Sequence, residues 1–134
     1  MNTDVAPARR PFRFEKLEVW QEARALNREI YSLVEMLPAD ERYGLASQVR
    51  RASVSIAANI AEGAGRNSDR DFAHFLEQAY ASAMELASHL FLANDLNYID
   101  ASHFDQFMRK LDVLAARIVA LNRSLAVKGT KVKL

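Results

Sequence analysis

Four glycines and three prolines are the strong helix breakers of this 134-residue chain, and they leave long uninterrupted stretches between them. Glycine weakens a helix interior and proline ends it, so each stretch suits helix. The stretch after Gly65 is divided into two helices by the connection at 94–100, which contains two Asn and two Asp. Within each stretch, apolar residues recur three or four positions apart, which places them on one helical face. This pattern predicts helices over about residues 15–37, 42 or 44 to 62, 68–94 and 100–125.

The predicted helix ends rest on local side-chain chemistry. Pro38 stops the first helix because it has no amide hydrogen to donate. Gly63 follows the second helix, where glycine tolerates the left-handed conformation that often ends a helix. Ser68 with Asp71 forms an N-terminal cap for the third helix, and Asp100 does so for the fourth.

The apolar stripes define the expected core. The first helix contributes Leu17, Trp20, Ala23, Leu26, Ile30, Val34 and Leu37; the second, Leu45, Val49, Ala52, Ile56, Asn59 and Ile60; the fourth, Phe104, Phe107, Met108, Leu111, Leu114, Ile118, Leu121 and Leu125. No alternating run is long enough for a strand. Short connections make successive helices antiparallel, so the sequence predicts an all-α, up-down-up-down four-helix bundle. This domain spans residues 14–126, between a flexible basic arm at 1–13 and a basic C-terminal tail at 127–134.

Two of the helices are more apolar than a solvated helix needs to be. The third carries an apolar arc of roughly 180°, against the ~100° that one core contact requires. Between residues 43 and 62, the second helix has only Arg50, Arg51 and Glu62 as charges. A second buried surface is therefore expected, and a homo-oligomer is its simplest source.

Composition narrows the function classes. The absence of cysteine excludes disulfides and thiolate zinc sites. The first eleven residues lack the apolar core of a secretory signal, and no stretch approaches the ~18 apolar residues of a membrane span, so we expect a cytoplasmic protein without a membrane partner. Both ends are basic, but the net charge is only +1, which argues against a purely electrostatic nucleic-acid binder.

Few residues suggest catalysis, and no cofactor or metal is expected. Di-iron bundles need a Glu-x-x-His motif on each of two helices, which this chain lacks. The three histidines, His74, His89 and His103, are predicted to be satisfied at the surface. Gly63-Ala64-Gly65 is too short for a phosphate-binding loop. Helical-bundle ribonucleases often have four to six residues between an Arg and a following His. Only three residues separate Arg70 from His74, and this near-miss, with Glu77, keeps a ribonuclease as the alternative.

Two polar groups on and near the second helix are candidate sites. One ridge holds Gln48, Arg51, Ser55, Asn59 and Glu62, which we interpret as a structural network in which Arg51 pairs with Glu62 across the bundle or a subunit seam. The second group is a candidate phosphate-facing patch for nucleic acid. It consists of Arg42, Arg50, Arg66 and Arg70.

The second helix also carries the motifs of a known family. Residues 43–52 read YGLASQVRRA and residues 55–63 read SIAANIAEG. These blocks resemble the four-helix bundle proteins encoded in intervening sequences of large-subunit ribosomal RNA genes. Further matching residues are LEVW at 17–20, Leu37-Pro38, and Phe72-x-x-Phe75-Leu76-x-x-Ala79 followed by Ser82 and Glu85. The resemblance covers about residues 14–125. It implies an antiparallel bundle that assembles into a homopentameric ring.

A more distant resemblance is to the accessory protein of diversity-generating retroelements. That resemblance implies a barrel that engages a reverse transcriptase and nucleic acid. The relative is strongly basic, whereas this chain is nearly neutral. Taken together, the sequence predicts a non-enzymatic, oligomeric binding or scaffold protein that engages RNA or a nucleic-acid-handling partner.

Overall fold

A computed structural model describes residues 6–127 and contains four long helices. The elements are a 3₁₀ turn at Arg13–Lys16, α1 at Glu18–Val34, a second 3₁₀ turn at Ala39–Glu41, α2 at Leu45–Ala64, α3 at Asp69–Asp95 and α4 at Ala101–Val127. Over these residues the structure has no strand, which confirms the all-α fold with four helices. The predicted start of the first helix is wrong, because the 3₁₀ turn and an extended Leu17 precede α1. The predicted C-terminal tail lies outside the described residues, apart from Val127.

The helices surround one apolar core. Each packs against its neighbours along the chain, and α1 also packs against α4. The predicted stripes supply this core: Ile30, Ile56, Leu76, Leu86 and Ile118 are fully buried. Seven residues that were expected to face inward are only half-buried: Leu17, Trp20, Leu45, Asn59, Phe104, Met108 and Leu121. No helix within residues 6–127 is long and apolar enough to cross a membrane.

Side-chain caps hold the starts of three helices. The Ser68 hydroxyl accepts a hydrogen bond from the Asp71 amide at 3.1 Å, as predicted. The Asp100 carboxylate accepts one from the His103 amide at 2.8 Å, which also lowers the pKa of Asp100. The α2 cap was not predicted: the Glu41 carboxylate accepts from the Leu45 amide at 3.1 Å. Each carboxylate or hydroxyl satisfies an amide that has no partner within its own helix.

Gly63 does not end α2, so that prediction is wrong. The helix continues through Ala64, and Gly63 is buried against the start of α3. A Cβ atom at Gly63 would lie 2.7 Å from the Phe75 Cβ and 3.2 Å from the Phe72 carbonyl oxygen. Glycine is therefore needed for the close approach of α2 and α3, not for a left-handed turn.

Replacing Gly63 tests this packing. Gly63→Ala should lower the free energy of unfolding by about 1–3 kcal/mol, because the added methyl group has no space. The matched control is Gly65→Ala, whose Cβ would meet only carbonyl oxygens at 3.5 and 3.8 Å. That control should change stability by less than about 1 kcal/mol. Urea denaturation at one protein concentration measures both, and equal effects of the two variants would contradict the packing argument.

Candidate binding surfaces

One end of the molecule concentrates basic side chains. We define the basic end as residues 6–16 and 63–71, which contain six basic and three acidic residues. Arg13 joins the two segments: its guanidinium donates to the Ala64 carbonyl at 3.3 Å and lies 4.9 Å from the centre of the Phe72 ring. Residues from the predicted N-terminal arm therefore lie against the connection between α2 and α3.

The arginines at this end differ in how far they are already paired. Arg9 donates twice to the Glu15 carboxylate, each at 2.7 Å, and these bonds with the Phe12 amide hold the pKa of Glu15 at about 2. Arg66 lies 3.6 Å from a Glu62 carboxylate oxygen and 4.6 Å from the centre of the Phe75 ring. Arg70 is exposed and makes no ion pair with any residue from 6 to 127. It is therefore the predicted phosphate ligand that is most available.

The expected single patch of four arginines is wrong. Arg66 and Arg70 belong to the basic end, whereas Arg42 and Arg50 lie near the start of α2. Arg50 lies 14 residues before the end of α2 at Ala64, so the helix separates the two pairs by about 21 Å along its axis, at 1.5 Å per residue. Arg50 donates to the Arg42 carbonyl at 3.2 Å, and both line a surface cavity of about 450 Å³ that also includes Glu35.

The end that holds Arg42 is strongly acidic. We define the acidic end as residues 31–46 and 91–105, which contain six Asp or Glu and one basic residue, Arg42. The Tyr98 hydroxyl donates to the Glu41 carboxylate at 2.9 Å and so brings the two connecting segments together. This bond raises the pKa of Tyr98. Phosphate groups would be repelled here, so the position of Arg42 speaks against nucleic-acid binding.

The predicted polar ridge of α2 separates into three contacts. Arg51 bonds to Gln48 on its own helix and to Glu85 of α3 at 3.1 Å. Glu62 instead faces Arg66. Arg51 and Glu62 are eleven positions apart on one helix, about 16 Å along its axis, so their pairing within one subunit is wrong. Their pairing across a subunit seam stays a prediction.

The remaining ridge residues bond to α3 through Ser82, which the sequence analysis placed in the family motif but not in this network. Ser55 and Ser82 share a hydrogen bond of 2.7 Å between their hydroxyl oxygens. The Asn59 amide donates to the Ser55 carbonyl at 2.9 Å and to its hydroxyl at 3.0 Å. Ser82 could have been recognised, because it interrupts an otherwise apolar face of α3.

Two further buried polar contacts were also missed. Asn122 is 1% exposed, and its amide donates to the Ala73 carbonyl at 3.0 Å. Ser53 donates to Asn27 of α1 at 2.9 Å. Both side chains interrupt apolar stripes, and that interruption is the sequence signal. These contacts tie neighbouring helices together and leave little freedom in their relative positions.

The histidines do not assemble into a metal or catalytic centre among the described residues. No group of three or more His, Asp and Glu there could hold a metal ion. His74 is well exposed, 4.0 Å from a Glu77 carboxylate oxygen and 3.0 Å from the Gln78 side-chain nitrogen. His103 bonds to Asp100 at 2.8 Å. His89 differs from the expected surface histidine: it is half-buried, 3.2 Å from Glu85, and its Nδ1 has no partner within the described structure.

Two surfaces with few charges lie along the sides of the molecule. The neutral face is the outer side of α2 between Arg51 and Glu62, where Val54 and Ala58 are exposed. The apolar groove is a cavity of about 530 Å³ between α3 and α4. It is lined by Tyr80, Met84, Ala87, Met108, Ala115 and Val119, with Asp112 and Arg123 among the other lining residues.

Four long helices packed around one core define an all-α helical protein. The sequence matches the family described as 23S rRNA-intervening sequence protein over residues 15–120. The chain belongs to this family, as its α2 motifs predicted. No curated protein matches it.

A solved structure has the same fold. It is the crystal structure, at 1.70 Å resolution, of a protein with unknown function from the S23 ribosomal protein family of Bacteroides thetaiotaomicron VPI-5482. The TM-score is 0.72 at 23% sequence identity, and the alignment covers 78% of this chain and 97% of that one. At this identity the likeness concerns the fold alone.

The Ser55–Ser82 contact can be tested by deleting one hydroxyl. Ser82→Ala should cost about 0.5–1.5 kcal/mol of stability, because a part-buried hydrogen bond is lost. The control is Ser88→Ala on an exposed position of the same helix, which should stay within about 0.5 kcal/mol. Chemical denaturation compares them, and a Ser82→Ala protein as stable as the control would contradict the proposed contribution.

Proposed function

We propose that this protein is a non-enzymatic, cytoplasmic scaffold that assembles into a ring of identical up-down-up-down bundles and contacts RNA through its basic end. The observation that carries the proposal is the separation of surfaces: a neutral face on α2, an apolar groove between α3 and α4, one basic end and one acidic end. The sides are available for subunit contacts, and the ends remain free for other molecules.

Contacts between helices support alternating directions. Glu22 pairs with Arg117, and Glu29 with Lys110, so residue numbers rise along α1 as they fall along α4. Between α2 and α3, Arg51 meets Glu85, whereas Gly63 meets Phe72. This is the pattern of antiparallel neighbours.

The neutral face and the apolar groove support a ring. A symmetric dimer uses the same patch on both subunits, whereas a cyclic oligomer joins two different patches head to tail. The neutral face of α2 is built from small side chains, and the apolar groove between α3 and α4 is concave. If the neutral face of one subunit packs into the apolar groove of the next, both surfaces are buried. The family resemblance implies five subunits.

Charged substitutions on either surface test the ring. Ala58→Glu and Met84→Glu should each convert the oligomer to monomers with unchanged helix content, because each buries an unpaired charge at the seam. Light scattering measures the mass, and circular dichroism the fold. Ser32→Glu, on the exposed side of α1, is the matched control and should retain the parent mass.

Mixing the two variants makes the test sharper. Each retains one intact surface, so the mixture should form dimers and nothing larger. A parent protein that is monomeric, or an oligomer that survives both substitutions, would contradict the proposed seam. A mixture that forms the full oligomer would also contradict the proposed seam, because a subunit with only one intact surface could then still take part in the ring.

The basic end supports the RNA contact. Arg66 and Arg70 lie there with four basic residues of the N-terminal segment. Several copies on one face of a ring would raise the effective affinity of a weak phosphate contact through multivalency. Because phosphate contacts release counterions, the affinity should fall as salt rises.

Arginine substitutions at the two ends distinguish this site. Arg70→Ala should weaken binding of a single-stranded RNA and reduce its salt dependence, whereas Arg50→Ala, outside the basic end and next to Arg42, should have little effect. Fluorescence anisotropy with labelled RNA measures both. Salt-independent binding, or equal losses in the two variants, would contradict the assignment.

The same samples test the ribonuclease alternative. The recovered RNA should be intact. Cleavage that is lost in His74→Ala, with folding and mass unchanged, would establish the enzyme and overturn the non-enzymatic proposal.

A further inference from the structure

Large apolar side chains are exposed mainly at the acidic end. Ten are exposed in the described structure, and six of them belong to this end. They are Tyr31, Met36, Tyr43, Phe91, Leu92 and Leu96. Tyr43 is 86% exposed, and Leu96 is 53% exposed. Exposed apolar groups gathered in one region mark interaction sites in soluble proteins.

Local contacts hold this surface in one conformation. Asn97 has a φ of 61°, the left-handed conformation that ends α3, and the Tyr98 amide donates to the Ala93 carbonyl at 2.9 Å. The Tyr98 hydroxyl then bonds to Glu41. On the α4 side, the Phe91 and Phe104 rings pack edge to face with centroids 5.0 Å apart. The apolar groups are therefore presented by an ordered platform, which reduces the entropy cost of binding.

The charges at this end specify the partner. Glu35, Asp40 and Asp95 form no ion pair with any residue between 6 and 127. Glu41 and Asp100 are hydrogen-bonded as caps and still carry negative charge. Arg42 is the single basic residue within the defined ranges. A partner with basic groups gains attraction here, and a nucleic acid is repelled.

We propose that the acidic end is a docking surface for a basic amphipathic helix of a partner protein. Such a helix places apolar side chains on one face and Lys or Arg at its margins. Its apolar face would cover Tyr43, Leu96 and their neighbours, and its cationic margin would meet Glu35, Asp40 and Asp95. The inference does not depend on the RNA contact, because it concerns the opposite end of the molecule.

A second copy of this chain fits less well. Its basic end exposes one large apolar side chain in the described residues, Phe12, so it offers charge without an apolar face. Stacking basic end on acidic end would also leave free ends and propagate into open filaments. A separate protein segment supplies both properties without that consequence.

The probe is a labelled synthetic peptide that forms a helix with Leu on one face and Lys on the other. Fluorescence anisotropy measures its binding to the full chain. The peptide should bind in low salt and more weakly in high salt. The double variant Asp40→Asn, Asp95→Asn should weaken binding at least tenfold, and Leu96→Ser several-fold. Glu18→Gln, an exposed carboxylate of α1 outside this end, is the control and should bind as the parent does.

Specific results would overturn the proposal. The first is that the double variant binds the Leu/Lys peptide as tightly as the parent does, and the second is that a Leu/Glu peptide binds equally well. The third is that a single-stranded RNA displaces the Leu/Lys peptide both from the parent and from the Arg70→Ala variant, because the RNA would then bind at the acidic end. The mass of the parent protein in solution could also increase with protein concentration while that of the double variant does not. This result would identify a second copy of the chain as the occupant and would overturn the proposal. If Leu96→Ser fails to fold, Tyr43→Ser tests the apolar contribution, because Tyr43 is almost fully exposed.

Discussion

The close approach of α2 and α3 is the constraint on which the rest of this structure depends. Gly63 allows it at one end, where a methyl group would collide with Phe75 and the Phe72 backbone. In the middle of the two helices, Ser55 and Ser82 meet through a hydrogen bond between their hydroxyl groups, so no large side chain separates the helices there. Small side chains between α2 and α3 allow the two backbones to lie close together, so the larger apolar groups of both helices can point toward α1 and α4. The same preference for small residues leaves the outer face of α2 neutral.

This packing separates the molecule into surfaces of different chemistry. The N-terminal segment reaches the α2–α3 connection through Arg13 and makes that end basic. The two other connections meet at the opposite end through Tyr98 and Glu41, and nearly all of their charges are acidic. Between the two ends lie the neutral face of α2 and the apolar groove, whereas α1 and α4 pair charged side chains along their contact. Occupation of one surface therefore leaves the others free, which is the property that a scaffold requires.

Local features of the fold were predictable because they depend on neighbours in the chain. The four helices follow from apolar periodicity, and the Ser68 and Asp100 caps depend on residues three positions away. The errors concern contacts between helices. Gly63 was interpreted as a helix end because its partners in α3 could not be seen, and Arg51 turns to Glu85 rather than to Glu62 for the same reason.

The sequence by itself determined the fold class, the core stripes and the family, because each is written in short-range spacing and in the motifs of α2. Only the tertiary structure decided how the charges are distributed. Arg42 and Arg70 lie fewer than thirty residues apart in the chain, yet α2 carries them to opposite ends. Asp40 and Asp95 are distant in sequence and belong to one surface, because the fold brings the segments between helices together. Charge patterning along a chain acquires meaning for binding only when the positions of the helices are known.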